Sequence, residues 1–195
     1  MHEPIPSAMT SPIPPVERET DHRRRREGYD RVHVYARRAA LTFEASETRP
    51  SANGGGTLPT VAIDGAAAAE QPKTYRWSDK LRFQVTPREL TYVTAVFLGY
   101  LPGVAFRNHG ENHDKGLVIE EQSERGAIYV RLFGKGTNCA VPIAAGDIPT
   151  ITGLLMRQLG ALTGLEGAGL LSLIRASARF YQVPGRRLQA VEQGR

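Results

Sequence analysis

Hydrophobic residues alternate with polar ones in several short stretches of the chain, and at a few places the apolar spacing lengthens to three or four. Alternation sends successive side chains to opposite faces of a strand, whereas spacings of three and four line one side of a helix. From Arg31 a strand begins whose apolar members are Val32, Val34, Leu41 and Phe43, with a parity switch between Val34 and Leu41. One extra residue near Ala36 to Ala39, a β-bulge, would restore a common face and re-aim Arg37 and Arg38. Ser46 to Leu58, containing Gly54-Gly-Gly56, reads as a loop and Thr60 to Ile63 as a short strand. Asp64-Gly65 then signals a hairpin turn, after which Ala66 to Ala69 return. In Tyr75 to Val85 the residues Tyr75, Trp77, Leu81, Phe83 and Val85 share one parity, and Arg76, Lys80 and Arg82 share the other. A strand there has an apolar face, with Trp77 and Phe83 expected in the core, and a cationic face. Thr86, Pro87 and Glu89 give the start signal of a helix to about Leu101, with Leu90, Val93, Val96 and Phe97 on its apolar side.

The second half follows the same order. Gly103 to Arg107, Leu117 to Gln122, Ala127 to Phe133 and Asn138 to Ile143 read as four strands, with Gly134-Lys-Gly136 as a hairpin turn. Asp147 is the expected cap of a helix carrying Ile151, Leu154, Leu155, Leu159 and Leu162 and ending near Gly164. Two units of four strands and a helix result. Gly167 to Gln182, with Leu170, Leu171, Leu173, Ile174 and Ala178, predicts one more helix that docks on the body or on another subunit. The pattern divides the chain into a Pro- and Arg-rich tail over 1–28, a main domain over 29–165, the additional helix over 166–183 and a basic tail over 184–195.

Charge changes this picture only modestly. The chain of 195 residues carries a formal net charge of +5, but between Tyr29 and Gln182 there are 17 Lys and Arg against 14 Asp and Glu, a difference of 17 − 14 = +3. A polyanion-binding function therefore rests on where the cations point, and the tail run Arg23-Arg-Arg-Arg26 adds sequence-independent attraction at most. The single cysteine, Cys139, excludes an intrachain disulfide and a cysteine-based zinc site. No apolar run is long enough to span a bilayer and the start lacks a secretory pattern, which predicts an intracellular protein, neither secreted nor membrane-bound.

The sequence resembles the Whirly family of plant single-stranded DNA-binding proteins and, more distantly, the PC4-type coactivators and the kinetoplastid mitochondrial RNA-binding proteins. The resemblance runs from about Val32 to Leu165. It is carried by Val34-Tyr-Ala-Arg-Arg-Ala-Ala-Leu-Thr42, Tyr75-Arg-Trp-Ser-Asp-Lys80, Val141-Pro-Ile143 and Leu159-Gly-Ala-Leu-Thr-Gly-Leu165. Ala36 and Arg37 replace the first Lys and the Gly of the family's Lys-Gly-Lys, and Leu165 stands where the family has Trp. The resemblance implies an α+β fold in which two ββββα repeats form two packed antiparallel sheets, with helices at the core of a homotetramer and nucleic acid along the sheet edges.

Binding a single strand without sequence preference requires cations along a backbone path and flat side chains for stacking. The candidates are Tyr35, Arg37 and Arg38 on the first strand, Arg76, Lys80 and Arg82 on the fourth, Arg107 at the end of the fifth, and Tyr129, Arg131 and Phe133 on one face of the seventh. The expected partner is single-stranded DNA or RNA, with no cofactor and no metal. His109, His113 and Asp114 in a loop are read as ordinary loop polarity, and Phe106 to His109 as a rim for nucleic acid. No catalytic motif is present: Gly134-Lys-Gly136 lacks phosphate-loop spacing, adjacent Glu120 and Glu121 point to opposite faces, and Cys139 sits in an apolar strand. The alternative from another class is a structural subunit that binds protein partners through its helices, the C-terminal one above all.

Overall fold

The structure, a computed structural model, describes residues 30–49 and 56–181. The segment 1–28 with its Arg23-Arg-Arg-Arg26, the glycines at 54 and 55, and the tail from Pro184 lie outside the described residues. The parity switch between Val34 and Leu41 is a hairpin rather than a bulge. Strand β1 (Arg31–Tyr35) pairs antiparallel with β2 (Ala39–Glu47), placing Val34 opposite Leu41 and Val32 opposite Phe43. Cross-strand partners here have residue numbers of opposite parity, so the switch keeps all four side chains on one face. The Ala36 N–H closes the turn on the Ala39 carbonyl at 2.9 Å, leaving Arg37 and Arg38 exposed at its tip.

Asp64-Gly65 makes no turn. Strand β3 (Pro59–Ala67) runs straight through it and pairs with β2 from Glu47↔Pro59 to Ala39↔Ala67. A methyl group on Gly65 would stand 3.0 Å from the Cys139 Cβ and 3.1 Å from the Leu132 Cδ2, so this glycine lets the second sheet close onto the first. The stretch from Tyr75 also departs from the expected strand. Tyr75 forms an isolated bridge with Ala68, Trp77–Asp79 form a 3-10 turn, and β4 is confined to Leu81–Gln84. Four strands therefore arise by two offsetting differences: one expected strand divides in two, and two short ones merge.

Order in the first sheet is β1-β2-β3-β4. The second sheet, β5 (Gly103–His109), β6 (Lys115–Gln122), β7 (Ala127–Gly134) and β8 (Thr137–Ala144), is likewise ordered by sequence, and every neighbouring pair in both sheets is antiparallel. Its hairpins match the sequence pattern closely. The β7–β8 turn has positive φ at both Lys135 (49°) and Gly136 (73°), the left-handed pair that matches the twist of a two-residue hairpin.

Three α-helices complete an α+β fold. Helix α1 (Pro87–Phe97) has the expected capping box: the Glu89 N–H donates to the Thr86 hydroxyl at 3.3 Å, and the Thr86 N–H to the Glu89 carboxylate at 2.9 Å. It ends earlier than Leu101, because Gly99 (φ 71°) and Tyr100 return their N–H groups to the Val96 and Ala95 carbonyls in a Schellman turn. Helix α2 (Ile148–Thr163) follows Asp147, whose side chain makes no capping hydrogen bond, contrary to expectation. Helix α3 (Gly167–Ala178) stops short of Gln182 and docks on its own chain: Leu170, Ile174 and Ala178 are buried, and the Arg175 guanidinium lies 5.0 Å from the Tyr100 ring centroid. Beyond it, the Tyr181 ring packs 4.8 Å from Tyr92, and its hydroxyl accepts the Ala105 N–H of edge strand β5 at 3.1 Å.

One continuous core joins the inner faces of both sheets to the three helices, with Phe43, Phe83, Leu117, Leu132, Ile151 and Leu155 among its fully buried side chains. Among the described residues no single helix is long and apolar enough to cross a membrane. Gly65→Ala is expected to lower stability by roughly 1–3 kcal/mol, as overpacking does where a backbone and a second sheet meet. Urea unfolding checks this, with Gly169→Ala as control, since a methyl group at Gly169 meets nothing within 4 Å.

Candidate nucleic-acid interface

The outer face of the first sheet is set by strand register. His33, Thr42, Asp64 and Arg82 form one cross-strand row, and Arg31, Glu44, Ala62 and Gln84 form the next. Ala40, Ala62 and Ala66 supply a floor of small buried side chains. Around it stand four aromatic rings. His33 and Tyr35, two residues apart on β1, stack at 6.0 Å with planes 9° apart, and Tyr35 meets Tyr75 at 5.5 Å. Trp77 contacts His33 edge-on at 6.3 Å, and the Tyr75 hydroxyl donates to the Ala36 carbonyl at 2.9 Å, fastening the β1–β2 turn. His33, Tyr35 and Trp77, with Arg31, Thr42, Glu44, Asp64 and Lys80, bound a recess of about 300 Å³ in which Tyr35 is 60% exposed, and Tyr75 backs the Tyr35 ring from outside it.

Trp77 lies on this face instead of in the core, because the 3-10 turn advances three residues per turn and cancels the period-two parity. Phe83, in regular β4, is buried as expected. The same turn removes Arg76 from the row it was expected to share with Lys80 and Arg82. Arg76 borders a separate recess beside Ala68 and Gln71, and its charge acts on the buried Cys139 thiol, whose pKa burial raises and Arg76 partly lowers.

Lys80 and Arg82 do share a face, yet neither is an uncommitted cation. The Lys80 Nζ lies 2.7 Å from the Asp64 Oδ2, and the Arg82 Nη1 lies 3.1 Å from that same oxygen and 3.3 Å from the Glu44 Oε2. Glu44 also accepts from Arg31. The network Arg31–Glu44–Arg82–Asp64–Lys80 crosses all four strands and carries 3 − 2 = +1. Asp64 is only 3% exposed, so two cations are needed to hold its charge there. Burial alone would raise the Glu44 pKa, but its hydrogen bonds and charge interactions with Arg31 and Arg82 prevail and hold it below the ordinary 4.5.

A second polar face lies on the other sheet. Tyr129, Arg131 and Phe133 alternate on β7 and point outward, opposite Glu120, Val118 and Gly116. The Phe133 ring occupies the space above Gly116, where a methyl group would be 2.2 Å from its Cζ. The guanidinium carbons of Arg131 and Arg107 stand 5.2 and 5.7 Å from the ring centroid, within cation–π range, and neither arginine is ion-paired among the described residues.

The histidine-rich stretch is not a free rim. His109 ends β5, stacks 4.2 Å from Phe83 and donates to the Glu89 carboxylate at 2.7 Å, and His113 donates to the Asn108 carbonyl at 3.0 Å. Sequence reasoning missed His33 and Arg31, although their alternation with Val32 and Val34 already placed them outward. It also missed Asp64, whose Asp-Gly pair resembles a turn.

Glu44 sets an expected pH dependence. Its depressed folded pKa contributes stability above the unfolded value, and that contribution is lost as pH falls through the folded value. Wild type is therefore expected to exceed Glu44→Gln in stability at about pH 6, with the gap closing progressively below about pH 4.5, as read from urea midpoints across that range.

No protein-family model matches the chain, and no curated protein matches it significantly in sequence.

Proposed function

We propose that the chain is a single-stranded nucleic-acid-binding protein without catalytic activity, largely indifferent to sequence and favouring DNA, which serves DNA maintenance or strand annealing as a homotetramer. The observation that carries this reading is the recess whose aromatic walls are His33, Tyr35 and Trp77, with Tyr75 packed against Tyr35, and whose polar lining is Arg31, Thr42, Lys80 and their carboxylate partners. A flat base presents a π-face to any of these rings, and each such stack is worth about 1–3 kcal/mol. Arg37 and Arg38, exposed at the adjoining hairpin tip and without an ion pair among the described residues, would meet the phosphates of a strand whose bases enter the recess. Arg107 and Arg131 around Phe133 offer a second uncompensated cationic site. Two four-stranded antiparallel sheets with helices are compatible with the Whirly-like architecture that the sequence resembles, and the proposed tetramer rests on that resemblance.

One observation favours the structural-subunit reading: Leu165, Leu171 and Phe180 are exposed at and beyond helix α3, Phe180 to 81%. Fluorescence anisotropy with labelled single-stranded DNA, single-stranded RNA and duplex at two salt concentrations separates the two. The nucleic-acid reading expects single strands to bind more tightly than duplex, with log K falling by about 0.7 per log unit of salt for each phosphate contact. Trp77→Ala and Tyr35→Ala are each expected to weaken single-strand binding by about 5- to 150-fold, while the mass in solution stays that of the oligomer. Equal weak binding of all three ligands, or none, overturns the reading. Loss of the oligomer in these variants would assign the aromatic face to assembly instead.

A further inference from the structure

Lys80 and Arg82 keep 41% and 43% of their side-chain surface exposed, so a phosphate can reach both, but each already holds a carboxylate at hydrogen-bond distance. The aromatic rings beside them hold no carboxylate: His33 bonds the Thr42 hydroxyl, the Tyr75 hydroxyl donates to the Ala36 carbonyl, and Tyr35, 60% exposed, stacks with His33 and Tyr75. The face thus offers open stacking surface next to three cations, two of whose charges are offset from within by Asp64 and Glu44. We infer that Asp64 and Glu44 are specificity-determining residues of the proposed binding face: their carboxylates occupy the places phosphates would take on Arg31, Lys80 and Arg82, so the face selects exposed bases over bare polyanion. The inference rests on the single-strand reading and says how that selection is made.

The physics is that of discrimination by opposing the wrong partner. A duplex presents phosphates and hides its base faces in the stack. To use Lys80 it must displace the carboxylate of Asp64 and then lie beside it, and like charges brought together across an interface are strongly unfavourable. A single strand can instead turn its bases to Trp77 and Tyr35 and leave its phosphates at the exposed arginines of the hairpin tip. Asp64 suits this role because it is almost fully buried on the inner strand β3 and is fixed by two partners, Lys80 just before β4 and Arg82 within it. Glu44, at 23% side-chain exposure, extends the compensation to Arg31 on β1.

The test uses Asp64→Asn, which keeps the shape of the side chain and removes its charge, and Glu44→Gln, which is less buried and serves should the first variant fail to fold. Each is titrated in the full chain against a single-stranded oligonucleotide, a duplex of equal length and inorganic polyphosphate, a polyanion without bases. One cation released for phosphate is expected to raise duplex affinity by about eightfold at about 0.1 M salt and to steepen its salt slope by about 0.9. Polyphosphate affinity is expected to rise with it, and single-strand affinity to rise less, so the preference for single strands narrows. Duplex and polyphosphate affinities unchanged within about twofold in both folded variants would overturn the inference and leave the carboxylates a purely structural role. If wild type fails to bind the single strand, the function proposal falls separately; the polyphosphate titration still reports whether the two acids suppress polyanion capture.

Discussion

A carboxylate buried on the outward face of a sheet must be met by positive charge, and in this protein the buried carboxylate of Asp64 organises the first sheet. It draws in Lys80, at the end of the 3-10 turn, and Arg82 of β4, Arg82 draws in Glu44 of β2, and Glu44 holds Arg31 of β1. The four strands are thereby joined by side chains as well as by their ladders. The two cations that the sequence offers most prominently as a phosphate track are, in the folded chain, largely occupied by this task. What stays open on that face is aromatic: His33, Tyr35, Tyr75 and Trp77.

The next residue along the chain, Gly65, faces the other way and sets the opposite constraint. Its missing side chain allows Cys139 and Leu132 of the second sheet to approach the first within van der Waals contact. Adjacent residues on β3 therefore govern both sides of the sheet, one through charge and one through the absence of volume. Glu89 plays a comparable double part at the start of α1, where one carboxylate oxygen completes the capping box and the other accepts from His109, whose ring rests on Phe83. The proposed binding face thus combines strand residues such as His33, Tyr35, Thr42, Asp64 and Arg82 with the 3-10 turn that carries Trp77 and the hairpin tip that carries Arg37 and Arg38.

Legibility in the sequence followed the regularity of the backbone. Strands β7 and β8 and helix α1 were readable because their periodicity is unbroken and their turns carry glycine or a complete cap, as at Gly136 and Thr86, while β5 and β6 were readable despite a register shift between Phe106 and His109. The same regularity made Tyr129, Arg131 and Phe133 readable as one face. Failure came where a local signal had two physical meanings. Asp64-Gly65 has the composition of a turn, but a long-range ion pair and a close inter-sheet approach keep it extended. Tyr75 to Lys80 alternates like a strand, yet its 3-10 turn moves Trp77 outward and separates Arg76 from Lys80 and Arg82. Charge compensation was invisible for the same reason, since Asp64 and Lys80 are far apart in sequence and meet only through register.

The aromatic recess on the first sheet is the proposed surface for nucleobases, and Trp77 in its wall is the chain's only tryptophan. Its intrinsic emission during titration with unlabelled single-stranded oligonucleotide reports that contact without any substitution. Saturable quenching that tracks binding, with little change when duplex of equal length is added, is the predicted result. Binding seen by an independent probe while Trp77 emission stays unmoved would place the ligand elsewhere on the molecule and rule out the recess as the base-binding surface.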